Sequence, residues 1–440
     1  MDQNLKQRLY RIFDPEPLTP EQDDLYVGLD EVRGSTGVVR KLAERICLSE
    51  GPTAQILAGH RGSGKSTELH RLQGILRSDC NADFPAMFFP VYVEGKEDLD
   101  LADVDFPEVL IALVRQMAAQ LKADLGITLA PGYFKDRWEG LKKLLGSEVS
   151  FEGAELDTGL LKLSTTIKGS PDARVKIREA LEPDTGNLVN AANDVIGQAK
   201  LELAKKDFQD LVIIFDDLDK ITNTIRKEAA CTQSEYLFIN RHAQLTGFAC
   251  HVVYTIPIET LFSHREQTIA NLYGGHPPIV PMTRIAGRPP ERKPYRKGLK
   301  AFEELIAKRL AKAEASESEV FASTKVRNEV IRISGGQPRE LMHLMRESLV
   351  GGELPTTLDA VRRAAQEGRR AYTRQLREEH WPIIEEVRAG GTPSRTQANE
   401  QPLRELLDMR AILQYRNEDE WYDQNPLIAD LDPPVPRDKD

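Results

Sequence analysis

Gly59-His60-Arg61-Gly62-Ser63-Gly64-Lys65-Ser66 reads G-x-x-x-x-G-K-[ST]. Its flanks make the reading decisive. Ala54 to Ala58, centred on Ile56 and Leu57, is a short apolar run that predicts a strand, and Leu69, Leu72 and Leu76 follow at helical spacing. Between strand and helix, glycines let successive N–H groups curl toward one anion, and the helix N-terminus adds its dipole. In such a loop Lys65 reaches β- and γ-phosphates and the Ser66 hydroxyl holds Mg²⁺. Candidate nucleotide contacts are therefore Gly59, Arg61, Gly62, Ser63, Gly64, Lys65, Ser66 and Thr67. An ordinary glycine-rich turn would not need this strand and helix.

A second element answers the first. Leu211-Val212-Ile213-Ile214-Phe215-Asp216-Asp217 is a continuous apolar run ending in two carboxylates. Without alternation it predicts a strand covered on both faces of a parallel sheet. Such strands end where ligands bind. Carboxylates there suit the Walker-B role, with Asp216 on the metal, directly or through water, and Asp217 as the base that polarises water. Asp219 has a plainer reading, as a cap for the next helix.

Bulk composition narrows the class. The 440 residues allow about three domains. Charged residues are 29% and hydrophobic ones 40%, an ordinary globular balance. The net charge of −10 argues against general coating of nucleic acid but leaves local basic faces open. Cys47, Cys80, Cys231 and Cys250 lack C-x-x-C spacing and read as buried free thiols of a reducing compartment. No apolar stretch is long enough to span a membrane and no signal peptide opens the chain, so a cytoplasmic location is expected.

The parts follow in order. Residues 1–50 form an N-terminal segment with a turn at Thr19-Pro20-Glu21 and a helix, capped by Ser35, that carries Val38, Val39, Leu42 and Ile46. Residues 51–285 form the core, with further strands at Met87 to Val93, Cys250 to Thr255 and Pro278 to Met282. Pro90 places the first of these at an edge or a bulge. Within the core, 125–206 is an insertion. It has a hairpin pairing Val149 to Phe151 with Leu163 to Ile167, a helix started by Ser170-Pro171, and another through Leu188, Val195 and Leu203. Together these give an α/β fold class: a three-layer core on a five-stranded parallel sheet.

A Pro- and Arg-rich link at Arg284 to Lys300 leads to an all-α lid, 286–370. Its helices carry Phe302, Leu305 and Leu310, then Val326, Val330 and Ile333 before a Gly335-Gly336 stop, then Leu341, Leu344 and Met345 behind Pro338. Residues 371–431 predict two helices and a hairpin, Ile412 to Tyr415 against Trp421 to Asp423, which looks like a winged helix. A disordered tail, 432–440, closes the chain.

The P-loop, the Asp216-Asp217 strand, the Thr255 strand and Gly335-Gly336-Gln337-Pro338-Arg339 together resemble the AAA+ superfamily of P-loop ATPases. The likeness is greatest to its Orc/Cdc6-like and STAND branches, in which a helical lid and a winged helix follow the core. The resemblance spans roughly Tyr26 to Leu427. It implies ATP and Mg²⁺ as ligands, Thr255 at the sensor-1 position and Arg339 as the lid arginine that closes on phosphates in a forked way. Thr255 as a hydroxyl satisfied by backbone, and Arg339 as a surface residue, remain the alternatives. Arg265 lies roughly where an arginine finger would fall. Asp217, shorter than the Glu of many AAA+ motors, implies slow hydrolysis and a switch.

The expected function is an ATP-binding, slowly hydrolysing switch whose nucleotide state controls oligomerisation or engagement of an effector on another chain. A part in bacterial stress or antiphage signalling would follow at family level. The alternative is a DNA-associated Orc/Cdc6- or transposition-type regulator that assembles on nucleic acid with ATP. Charge weighs against it, because the hairpin turn Arg416 to Asp423 holds four acids and one base. Two basic segments, Arg284 to Lys300 and Arg362 to Arg377, keep it open.

Overall fold

The computed structural model describes residues 3–34, 37–78, 87–129, 156–182, 185–226, 229–262, 265–416 and 419–433. Helix α1 (Gln3–Ile12), helix α2 (Val38–Leu48) and strand β1 (Ala54–Gly59) precede α3 (Lys65–Arg77). Strand β2 (Phe88–Glu94) and the 20-residue α4 (Phe106–Leu125) come next. Helices α5 (Leu156–Gly169), α6 (Pro171–Leu181) and α7 (Thr185–Ala204) lead to β3 (Asp210–Asp216). Strands β4 (His251–Pro257) and β5 (Ile279–Val280) complete the sheet. Then come α8 (Arg296–Lys312), α9 (Thr324–Ile333), α10 (Pro338–Leu349), α11 (Leu358–Gln375), α12 (Trp381–Gly390) and α13 (Glu400–Asp408). A last hairpin pairs β6 (Ile412–Arg416) with β7 (Glu420–Gln424).

The five-stranded sheet has the order β2-β3-β4-β1-β5, with β3 parallel to β2 and β4. Leu211 to Phe215 are all fully buried, as an unalternating apolar run demands. Pro90 sits in β2, the terminal strand of the order, where its missing N–H breaks no ladder on the open side. The chain divides into two compact units: Met1–Val38 with Gly59–Glu68 and Ile279–Asp440, and Val39–Ala58 with Leu69–Pro278.

In the second unit, the expected hairpin does not form. Its Leu163–Ile167 arm lies inside α5, because Leu160, Leu163 and Ile167 share one buried helical face that outweighs the β-propensity of Thr165-Thr166-Ile167; Val149 to Phe151 fall outside the described residues. Ser170 does cap α6, accepting from Ala173 N at 3.2 Å. Arginines fasten α6 to the core: Arg178 meets Glu108 and Asp103, both at 2.7 Å, and Arg174 meets Asp100 at 2.9 Å. Glu108 pays for its burial with a carboxyl pushed up to about 7, chiefly by desolvation and against the pull of Arg178. Strand β4 runs two residues past Thr255, so that hydroxyl is internal to the strand.

The cysteine expectation is half right. Cys231 and Cys250 are free and buried, whereas Cys47 is disulfide-bonded. Spacing alone does not register a bridge between distant cysteines.

In the first unit, the basic link is tied down. Arg292 holds Asp423 through Nε at 2.8 Å and Nη2 at 2.9 Å, Arg288 donates to Gly390 O at 3.1 Å, and Arg284 lies over the Tyr295 ring. From Arg296 onward the link is already helix α8. The hairpin has the expected register, with Tyr415 opposite Trp421 and their rings stacked 4.5 Å apart. Ser35 and most of the tail lie outside the described residues.

Candidate functional site

Strand β1 ends at Gly59 and α3 begins at Lys65, so five residues make the loop between them. Gly59 has φ 154° and Gly62 φ 85°. A Cβ on Gly59 would lie 2.7 Å from Val280 O, and one on Gly62 would lie 3.3 Å from Arg339 Cβ. At Gly59 a side chain would meet backbone, and at Gly62 the positive φ alone strains any other residue. Lys65 is buried, and its ammonium donates to Gly59 O at 2.6 Å and His60 O at 2.9 Å. These bonds draw the start of the loop over the helix terminus. Ser63 N donates back to His60 O at 3.2 Å, closing a tight turn ahead of the helix N-terminus, the setting in which such loops take a phosphate.

Distant segments hold that curl. Arg33, 2% exposed, donates to Glu68 Oε1 at 2.9 Å and through Nη2 to Ser63 O. Leu18 N donates to the Thr67 hydroxyl at 3.2 Å, so that candidate contact anchors the N-terminal segment. Ser66 stays partly exposed at the first turn of α3.

His60 is wholly buried, and Gln414 N donates to its Nε2 at 2.9 Å. The ring is therefore neutral, with its proton on Nδ1. Burial first, then the charges of Lys65 and Arg410, hold the imidazole down to about 3. Arg61 pairs with Asp408 of α13 at 3.3 Å. Arg339, second residue of α10, flanks Gly62 and donates from Nε to Pro15 O at 3.2 Å.

The second unit holds the carboxylates. Asp216, Asp217 and Asp219 are all buried, each offering an oxygen within 4.8 Å of the others. Hard oxygen donors at this spacing suit a divalent cation such as Mg²⁺. Tyr92 donates to Asp216 Oδ2 at 2.8 Å, and burial with the Asp216 charge drives its phenol well above the ordinary value. Asp217 adopts φ 70°, a left-handed conformation that costs a non-glycine residue on the order of 1 kcal/mol. Its Oδ1 pairs with the Lys220 ammonium, and its Oδ2 accepts from Lys96 N at 3.3 Å. Thr255 is fully buried and accepts from Asp219 N at 3.3 Å. Arg265 precedes the short helix Glu266–Leu272, where its charge, with that of Arg226, counters burial's upward push on the Cys231 thiol.

The structure thus groups the loop with Arg339, and the three aspartates with Thr255. Sequence reasoning missed Tyr92, Arg33 and His60. Tyr92 carried a faint signal, being two residues from the end of a strand at the ligand edge of the sheet. Arg33 and His60 carried none, because their partners lie far off in the chain.

No family model and no curated protein sequence matches this chain. Among solved structures it is similar to the Walker-type ATPase PABY2304 of Pyrococcus abyssi, at 13% identity and TM-score 0.45, covering 95% of this chain and 98% of that one. The Aeropyrum pernix ORC2 protein, in ADPNP–ADP complexes, matches at 12% identity and TM-score 0.45, covering 95% and 93%. Drosophila ORC bound to DNA matches at 13% identity and TM-score 0.37, covering 96% and 89%. In the described residues, no helix is long and apolar enough to cross a membrane.

Proposed function

We propose that this chain is an ATP-binding, slowly hydrolysing switch of the AAA+/STAND type, whose nucleotide state governs its self-assembly or its hold on an effector protein. The loop carries this reading: glycines at positive φ, a lysine folded onto the loop carbonyls, and a helix terminus behind them. Lys65 and Arg339 would bind the phosphates. Ser66 is the Mg²⁺ ligand that the loop motif implies, and in the second unit Asp216 is the proposed carboxylate ligand; the ion supplies charge neutralisation on phosphate oxygens when bound. Asp217 would orient water from a strained backbone, restrained by Lys220. That restraint favours slow turnover.

Titration with a fluorescent ATP analogue tests the reading, and light scattering with a non-hydrolysable analogue tests the switch. The expected results are saturable binding by the wild type, lost in Lys65→Ala, and a change of mass on binding. A wild-type protein that binds no nucleotide refutes the first, and a mass indifferent to nucleotide refutes the second.

A DNA-associated regulator is the second reading, favoured by the arginines of α11. Arg362, Arg363, Arg370 and Arg374 are exposed, and Arg363 and Arg374 have no ion pair among the described residues. The link arginines favour it less, since Arg288 and Arg292 are bonded to the C-terminal segment. DNA binding that weakens steeply with salt would support this reading, and its absence at low salt would remove it.

A further inference from the structure

Arg410 comes just after Met409, the C-cap of helix α13, and has φ 62°. Helices often end in this left-handed conformation, but with glycine or asparagine there, because a Cβ makes it costly. Here it is enforced from both sides. Arg410 N donates to Leu407 O at 3.1 Å, and Ala411 N to Leu406 O at 2.9 Å. The Arg410 carbonyl accepts from Tyr372 Oη at 3.2 Å and Asn425 Nδ2 at 3.1 Å. A glycine would satisfy every one of these backbone bonds without strain. What the arginine adds is its side chain.

That side chain runs to the loop. Nη1 lies 3.8 Å from the point a Cβ on Gly62 would occupy, and Arg339 Cβ lies 3.3 Å from the same point. Among the described residues no carboxylate pairs with the Arg410 guanidinium, whereas neighbouring Arg61 has Asp408. A partly buried guanidinium with no counter-ion, facing a curl of amides, is a standing site for an anion. The low imidazole value at His60 agrees, since the Arg410 charge is among its causes.

We propose that Arg410 is a phosphate-binding residue, joining Lys65 and Arg339 around the terminal phosphates of a bound nucleoside triphosphate. This rests on reading the loop as a triphosphate site. The Orc/Cdc6-like resemblance implies Arg339 as the lid arginine and gives no role to Arg410.

The test compares wild type, Arg410→Gly, Arg410→Lys and Lys65→Ala, each in the full chain, by calorimetric titration with ATP and with AMP. Arg410→Gly relieves the backbone strain, so its melting temperature should equal or exceed that of wild type. Its ATP affinity should nevertheless fall about 10-fold or more, the size of a lost charge-assisted hydrogen bond, with AMP less affected. Arg410→Lys should recover part of the loss. An Arg410→Gly protein that binds ATP as wild type does, while Lys65→Ala does not, overturns the proposal and leaves the loop reading standing. Failure of the wild type to bind ATP overturns both.

Discussion

His60 offers the sharpest quantitative test, because its titration reports whether the loop is packed as described. Unfolded, the imidazole titrates near its ordinary value of 6.5; folded, it is held down to about 3 by burial, Lys65 and Arg410. The native state therefore resists a proton that the unfolded chain accepts. Stability is fully present above 6.5 and is lost as pH falls from there toward 3. Over a drop from about pH 7.5 to about pH 5, linkage puts the His60 share of that loss at about 2 kcal/mol. Gln414 N–H opposes protonation as well, since it needs the Nε2 lone pair.

Other groups titrate over the same range. Glu108, raised to about 7, runs the other way and gains stability as pH falls. A comparison of variants isolates His60. Glutamine at position 60 offers a carbonyl to Gln414 N and carries no proton of its own. Urea unfolding of wild type and His60→Gln at both pH values should show a wild-type loss exceeding the variant's by about 2 kcal/mol. Equal losses in the two proteins would mean that His60 is not buried against the hairpin as described.

Three further outcomes follow from other contacts. Tyr92→Phe removes a hydrogen bond to a buried carboxylate and should lower stability by roughly 1.5–3 kcal/mol, read as a reduced urea midpoint at unchanged slope; an unchanged midpoint would deny the bond. Gly336→Ala sets a Cβ 1.8 Å from Thr283 O at φ 74°, while Gly351→Ala at φ 67° meets nothing within 4 Å. The first should therefore cost at least about 2 kcal/mol and the second about 1, by thermal melting, and equal costs would contradict the packing of Gly336. Asp217→Asn should slow ATP turnover by about 10²-fold or more with binding retained, and an unchanged rate would remove Asp217 as a base.

What could be read from the chain was what local pattern encodes. The Leu211–Phe215 run predicts a doubly covered strand because burial on both faces leaves no reason to alternate. Pro90 predicts an edge or a bulge because a missing donor is tolerated there. Thr165-Thr166-Ile167 misleads because β-branched residues favour strands locally, while the buried face was set by Leu160, Leu163 and Ile167 together. At the site, the motif names the phosphate loop and the acidic strand end. It does not name the residues that shape them. Arg33 reaches Glu68 across 35 positions and Gln414 reaches His60 across 354. No periodicity spans such distances, and each partner looks like an ordinary polar residue.

Those long-range contacts bear on how a switch would operate. Within the first unit, the loop is bonded to Arg33 and Leu18 on one side, and to Gln414 and Asp408 on the other. Separating the hairpin from His60 without replacing the bond leaves a buried ring nitrogen unsatisfied, at a cost of about 1–3 kcal/mol. Loop shape and hairpin position are therefore linked states. By reciprocity, a ligand that favours one loop shape must bias hairpin position by the same free energy. A difference of about 1.4 kcal/mol already shifts the balance tenfold, so even this single bond is strong enough to transmit a nucleotide signal. The opposite case is equally concrete: a ligand that binds both loop shapes alike moves nothing, however tightly it binds.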